Sequence, residues 1–231
     1  MRRLFIIRHG NTFASSAEAC RIGSRTDIPL VESGHAQAER LGTWFAQQPR
    51  PIRHLFSSPL LRARQTAAAI AAATGHGLDG THDWLGEIDH GPDEGRPEAD
   101  VLARIGAQAL ADWEERGIAP DGWIVDAESR IAAWRAFFAQ AGEGADLLVT
   151  SNGAARFALL ALGLLPRKLR TGTFGELAIA PDGAVTLVRG DERPEATAAS
   201  SKRIVPASAS ISARTPTGRL NWLATWPNCA P

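Results

Sequence analysis

The chain predicts an α/β protein of three layers, a mostly parallel central sheet with helices on both faces. Three observations carry that prediction. Strand-like and helix-like segments alternate for most of the length, the pattern of repeated strand–helix–strand units. Leu4–Ile7 is apolar on consecutive residues rather than alternate ones, as a strand buried on both faces requires. The length, 231 residues with 44% hydrophobic side chains, fits one such domain carrying a short appendage.

Taken in order, Leu4–Ile7 is the first strand, and it runs straight into the polar turn Arg8-His9-Gly10-Asn11-Thr12. In open α/β sheets ligands bind at that carboxyl end of a strand. Residues 13–32 read as a loop, with Gly23, Asp27 and Pro29 as turn formers. Ser33 stands where an N-cap belongs, so a helix is expected over Gly34–Gln48, closed by Pro49 and Pro51. His54–Phe56 is a second short strand. Ser58-Pro59 then starts a helix, serine as cap and proline at the first helical position, that continues through Leu60–Thr74 and ends at Gly75.

Residues 98–117 and 127–141 read as two further helices. Asp146–Thr150 is a third strand, followed by Ser151-Asn152-Gly153 and an apolar helix over Ala154–Leu164. Glu176–Ala180 and Ala184–Val188, joined by Pro181-Asp182-Gly183, form a hairpin. Residues 1–192 thus make the domain. From residue 193 to 231 Ala, Ser, Thr and Pro dominate without any period, which predicts a flexible tail whose Trp222 and Trp226 are placed to dock its end.

Charge excludes some functions. Lys plus Arg and Asp plus Glu number 25 each, so no global field draws the protein to nucleic acid or to anionic membranes. The apolar run before Arg8 is too short for a secretory h-region, and nothing approaches the ~20 apolar residues of a bilayer span. Cys20 and Cys229 show no CxxC spacing, which argues against a disulfide framework or zinc site. The expectation is a soluble, cytoplasmic protein without metal or cofactor. Its oligomeric state is left open.

Three segments place phosphate-compatible groups at a strand end or helix start. In Arg8-His9-Gly10, arginine offers a planar fork for phosphate oxygens, histidine can attack phosphorus, and glycine lets the backbone approach a ligand. In Ser57–Thr66, Arg62 and Arg64 occupy the first turns of a helix whose amino end attracts anions. A cation there opposes the helix dipole unless an anion is present, so at least one of them has work beyond the surface. In Leu85-Gly86-Glu87-Ile88-Asp89-His90-Gly91, Glu87 can protonate a leaving alcohol if burial raises its pKa.

Together these segments resemble the histidine phosphatase superfamily, the phosphoglycerate-mutase-like group. The resemblance covers about Arg3 to Leu165. Arg8-His9-Gly10-Asn11-Thr12 looks like the family's Arg-His-Gly-x-Thr opening, and Arg21–Leu30 with Ser33–Ala38 is similar to its second landmark. Ser58-Pro59-Leu60-Leu61-Arg62-Ala63-Arg64-Gln65-Thr66-Ala67 is the nearest match, and Leu85–Gly91 matches the segment of the family's proton donor. The resemblance implies a mutase-like fold and a phosphohistidine intermediate on His9. It also implies Arg8 and Arg62 gripping the phosphoryl group, with Asn11 beside them, and Glu87 as acid; the partner is a small phosphorylated substrate.

One landmark departs. The family carries a second histidine after a late strand, where this chain has Val149-Thr150-Ser151-Asn152-Gly153-Ala154-Ala155-Arg156. The gapless alignment through Arg156 puts Ser151 at that position; anchoring on Gly153 puts Asn152 there. An imidazolium donor is roughly twice as strong as a neutral one, and losing an oriented donor lowers rates by about 100- to 1000-fold. Asn152, backbone N–H groups after Gly153, or His90 are the groups available to compensate. The favoured function is a phosphomonoesterase of weakened activity, with a phosphoglycerate-type mutase or a retired, phosphate-binding pseudoenzyme as alternatives. Ser15, where mutase-like members usually carry asparagine, weighs against the mutase. Specificity is expected from residues 13–26 and 92–126. Trp84, Trp113, Trp123 and Trp134 are read as packing residues, with Trp123 a candidate for a lid.

Overall fold

The computed structural model describes residues 1–194; the expected tail and its tryptophans lie outside them. Six strands form one mixed sheet: β1 (Arg2–Arg8), β2 (Ile52–Ser57), β3 (Gly80–Thr81), β4 (Gly144–Thr150), β5 (Phe174–Ile179) and β6 (Val185–Glu192), in the order β3-β2-β4-β1-β5-β6. The first four are mutually parallel, whereas β5 and β6 add to the β1 edge as an antiparallel hairpin. The helices are α1 (Glu32–Ala46), α2 (Leu61–Thr74), α3 (Glu98–Arg116), α4 (Ala127–Phe138) and α5 (Asn152–Ala161).

Consecutive apolar residues in β1 and β4 supply both faces. Phe5, Ile7, Leu147 and Val149 pack with Leu41, Phe45, Ala63 and Ile70 of α1 and α2. Leu4, Ile6 and Leu148 pack with Trp134, Phe137, Phe157 and Ala158 of α4 and α5. The sheet is therefore covered on both sides, and the carboxyl ends of β1 and β4 meet side by side, with Arg8 paired to Thr150.

Helix starts differ from the sequence expectation in three places. α1 begins at Glu32 behind an extended Val31, and Ser33 lies inside the first turn, where its hydroxyl accepts from Asn11 Nδ2 at 3.2 Å. α2 begins at Leu61, not at Pro59: Ser58 Oγ closes the preceding turn by accepting from Leu60 N at 3.2 Å. α5 begins at Asn152 rather than Ala154, which brings Asn152 and Gly153 into its first turn. Gly75 does close α2, at φ 72°. α3 is two helices joined at Gly106, whose φ of 80° and ψ of 156° break the helical ladder.

The excursion between β3 and α4 roofs the carboxyl end of the sheet. The buried Asp93 fastens it, accepting from Trp123 Nε1 at 2.7 Å and pairing with Arg104 of α3. Trp113, Trp123 and Trp134 are all buried, and Trp123 packs edge-on to His90 and Trp113 instead of forming a lid. No described helix is long and apolar enough to cross a membrane.

Candidate active site

The turn after β1 owes its shape to two glycines. A Cβ on Gly10 would stand 2.3 Å from Gly34 O, and one on Gly34 would stand 2.1 Å from Asn11 O. Only backbone fits between the turn and α1. Gly10 N donates to Thr66 Oγ1 of α2 at 3.2 Å, so α2 also holds the turn in place.

His9 is only 3% exposed. Its Nδ1 lies 2.7 Å from Gly10 O, and a carbonyl only accepts, so Nδ1 carries the proton. Nε2 is then a lone-pair nitrogen, and it accepts from Arg62 Nε at 3.2 Å. Burial, then the cations Arg62 and Arg8, push the His9 pKa well below the ordinary imidazole value, partly opposed by Gly10 O. The ring is neutral at physiological pH, with its nucleophilic nitrogen defined.

Arg62 is fully buried and meets His9 directly, but it does not line the cavity beside it. Its remaining donors hold the carbonyls of Thr26, at 2.7 Å, and Gly23, at 3.2 Å. Arg8 lines the cavity and donates to Leu169 O at 2.6 Å. Asn11 lines it too, its side chain fixed by Ser33 and Thr171.

Glu87 is 8% exposed and faces the same cavity. Its carboxylate accepts from Ile88 N at 3.0 Å and from Gly153 N, in the first turn of α5, at 3.1 Å. A Cβ on Gly153 would fall 1.9 Å from Glu87 Oε1, so the glycine makes room for the acid. Burial raises the Glu87 pKa, as a proton donor needs. His90, the two backbone N–H groups and Arg62 outweigh it and hold the carboxyl below its ordinary value. His90 is itself pushed down to about 4, chiefly by burial, so at neutral pH the backbone donors carry most of that effect. Glu87 is therefore ionised at neutral pH, contrary to the raised pKa that the sequence reading asks of it.

The two residues that the sequence offers for the family's second-histidine position separate here. Ser151 is fully buried, its hydroxyl has no partner, and it lies off the cavity wall. Asn152 lines the cavity; its Oδ1 accepts from Leu169 N at 3.0 Å, which leaves the Nδ2 group as an available donor.

The cavity measures about 500 Å³. Beyond these residues its wall holds Arg21, Glu98, Trp113, Glu114, Arg156 and Lys168. Of the two segments expected to set specificity, the first supplies wall residues between Phe13 and Ile22 and the second Glu98, Trp113 and Glu114, so Trp113 is a wall residue as well as a packing one. Arg156 is the residue the sequence reading passed over. The signal was available: it is the one charged side chain in the helix Asn152–Ala161, an oddity of the kind that marked Arg62. No group of three or more potential metal ligands occurs among the described residues.

A sequence model of the histidine phosphatase superfamily (branch 1) matches residues 4–203. The probable phosphoglycerate mutase GpmB of Yersinia pestis (strain Pestoides F) is 37% identical over 97 residues, 42% of this chain and 43% of that protein. The match thus spans less than half the length of the curated relative. Among solved structures, TTHB049 from Thermus thermophilus superposes with a TM-score of 0.59 at 30% identity, covering 82% of this chain and 99% of that one. Mycobacterial glucosyl-3-phosphoglycerate phosphatase complexed with VO3 gives a TM-score of 0.68 at 24% identity, over 83% and 99% of the two chains, a likeness of fold.

Proposed function

Because the chain belongs to the histidine phosphatase superfamily, we propose that it hydrolyses a small phosphomonoester through a phosphohistidine on His9. The observation that carries this reading is the placement of His9: Gly10 O beside Nδ1 assigns the proton to that nitrogen, which leaves Nε2 to present its lone pair beside Arg62. That geometry is what in-line attack on phosphorus needs.

In the first step Nε2 bonds to phosphorus, the ester P–O bond breaks, and the leaving oxygen takes a proton from Glu87. As the phosphoryl group arrives, the Arg62 Nε–H passes from the imidazole to a phosphoryl oxygen, and Arg8 and the Asn152 amide donate to the others. The incoming negative charge raises the Glu87 pKa toward the range in which it carries a proton. In the second step Glu87 accepts a proton from water, the water oxygen bonds to phosphorus, and the P–N bond breaks to release phosphate. Every proton is accounted for without a metal, and the reaction belongs to a reducing, cytoplasmic setting. Asn152, rather than Ser151, stands in for the family's second histidine; a neutral amide in that place predicts a weakened rate.

The test is turnover of an aryl phosphate in the presence of a chelator. His9→Ala is expected to reduce it at least about 1000-fold, as loss of a nucleophile does. Full activity in that variant, or none in the wild type, would sink the reading. The mutase name of the Yersinia relative supplies the second reading, which predicts isomerisation of a phosphoglycerate and a stable phospho-His9 formed from a bisphosphate.

A further inference from the structure

Arg156 has no part in the two steps above, yet it lines the same cavity. It follows Asn152 and Gly153 by one turn of α5, so all three share one helix face. It is 4% exposed. Its guanidinium lies over the Trp113 ring, 3.9 Å from the centroid, and Nη1 donates to Trp113 O. Its Nε is buried without a partner. The nearby carboxylates are engaged elsewhere: Glu98 with Arg21, Glu114 with Lys168 at 3.5 Å, and Glu87 with backbone N–H groups.

Among the described residues Arg156 forms no direct ion pair, although the charges of Glu87 and Glu114 act on it. A buried cation whose Nε lacks a partner is unfavourable unless something completes it. Fastening α3 to α5 through Trp113 does not demand a charge, since an apolar side chain of that size would pack there as well. The cavity is also far larger than a phosphoryl group, and Arg21 and Lys168 lie on the same wall as Arg156. We propose that Arg156 binds a second anionic group, a carboxylate or a phosphate, on the alcohol portion of the substrate. Arg21 and Lys168 exchange Glu98 and Glu114 for that group when it enters. This inference rests on the phosphatase reading for where the transferred phosphoryl group sits.

Three compounds test it: phenyl phosphate, 4-carboxyphenyl phosphate and 1,4-phenylene bisphosphate, compared by kcat/KM in wild type, Arg156→Gln and Arg156→Lys. The wild type is expected to favour one or both doubly charged compounds, and the better one identifies the group. Arg156→Gln is expected to shrink that advantage by about 10-fold or more, the worth of a charged hydrogen bond, with Arg156→Lys keeping part of it. If Arg156→Gln lacks a thermal unfolding transition, the Lys variant alone is compared, since it keeps charge but loses the planar fork. No advantage in the wild type, or an equal loss on all three compounds in a folded variant, overturns the proposal. If the wild type turns over none of them, the phosphatase reading fails by itself. Calorimetric binding of the same compounds then decides, with tighter binding of the doubly charged ones, lost in Arg156→Gln, as the supporting result and equal or absent binding as the overturning one.

Discussion

In the proposed reaction the chemistry at His9 and Glu87 is set by protonation, and the two groups pull the pH profile in one direction. His9, with its pKa held far down by burial and by Arg62 and Arg8, stays a free base as pH falls through the mildly acidic range. In the proposed first step Glu87 carries a proton, and its pKa starts below the ordinary value, so its acid form is lost early as pH rises. Turnover is expected to be highest at mildly acidic pH and to decline through neutrality. Glu87→Gln should flatten that decline while lowering kcat about 100-fold or more, measured with an alkyl phosphate whose leaving group needs the proton. An optimum above pH 8 would remove Glu87 from the acid role. Asn152→Ala should lower kcat by roughly 10- to 100-fold, toward the lower end of what an oriented donor supplies. Ser151→Ala, off the cavity, should leave kcat close to the wild type. Equal effects would return the histidine position to Ser151.

Helices and strands were legible where pattern alone decides them. The apolar runs gave β1 and β4, Gly75 gave the end of α2, and Pro181-Asp182-Gly183 gave the β5–β6 hairpin. Helix starts were less legible, because the serines that look like caps are used otherwise. Ser33 serves Asn11, and Ser58 serves a turn that steers the chain from β2 into α2. The roof over the cavity was the least legible element, since it is held by contacts distant in sequence. Asp93, fully buried between Trp123 and Arg104, has no role assigned to it by the sequence. Asp93→Ala should destabilise the protein by about 2–4 kcal/mol, discounted from a fully buried pair because Arg104 is partly exposed. It should also raise KM more than it lowers kcat. Denaturant unfolding and steady-state kinetics check both, and an unchanged midpoint would show that Asp93 does not hold the roof.

At the scale of the whole molecule, the site is an intersection: β1 brings His9, α2 brings Arg62, the segment before α3 brings Glu87, and α5 brings Asn152 and Arg156. The order of motifs along the chain announced the first three. It left Arg156 unassigned, although a lone charge in an apolar helix marks it, because its contact with Trp113 spans more than 40 residues. Among the described residues, those of the cavity wall fall between Arg8 and Thr171 and the last strand ends at Glu192. If the Ala-, Ser-, Thr- and Pro-rich stretch that follows is the tail its composition predicts, a chain ending at Pro194 is expected to keep aryl phosphatase turnover within roughly threefold of the full chain. Loss of activity would give residues 195–231 a part in the site.

The stack of Arg156 on Trp113 has an optical consequence. Indole emission responds to a charge held against the ring face, and here the charge sits 3.9 Å from the ring centroid. Any ligand that draws the guanidinium off the indole, or screens it, should change the fluorescence of that tryptophan without a label. The signal should vanish in Trp113→Phe. The same stack would then let occupancy of the cavity be followed in a stopped-flow cell, ahead of the chemistry.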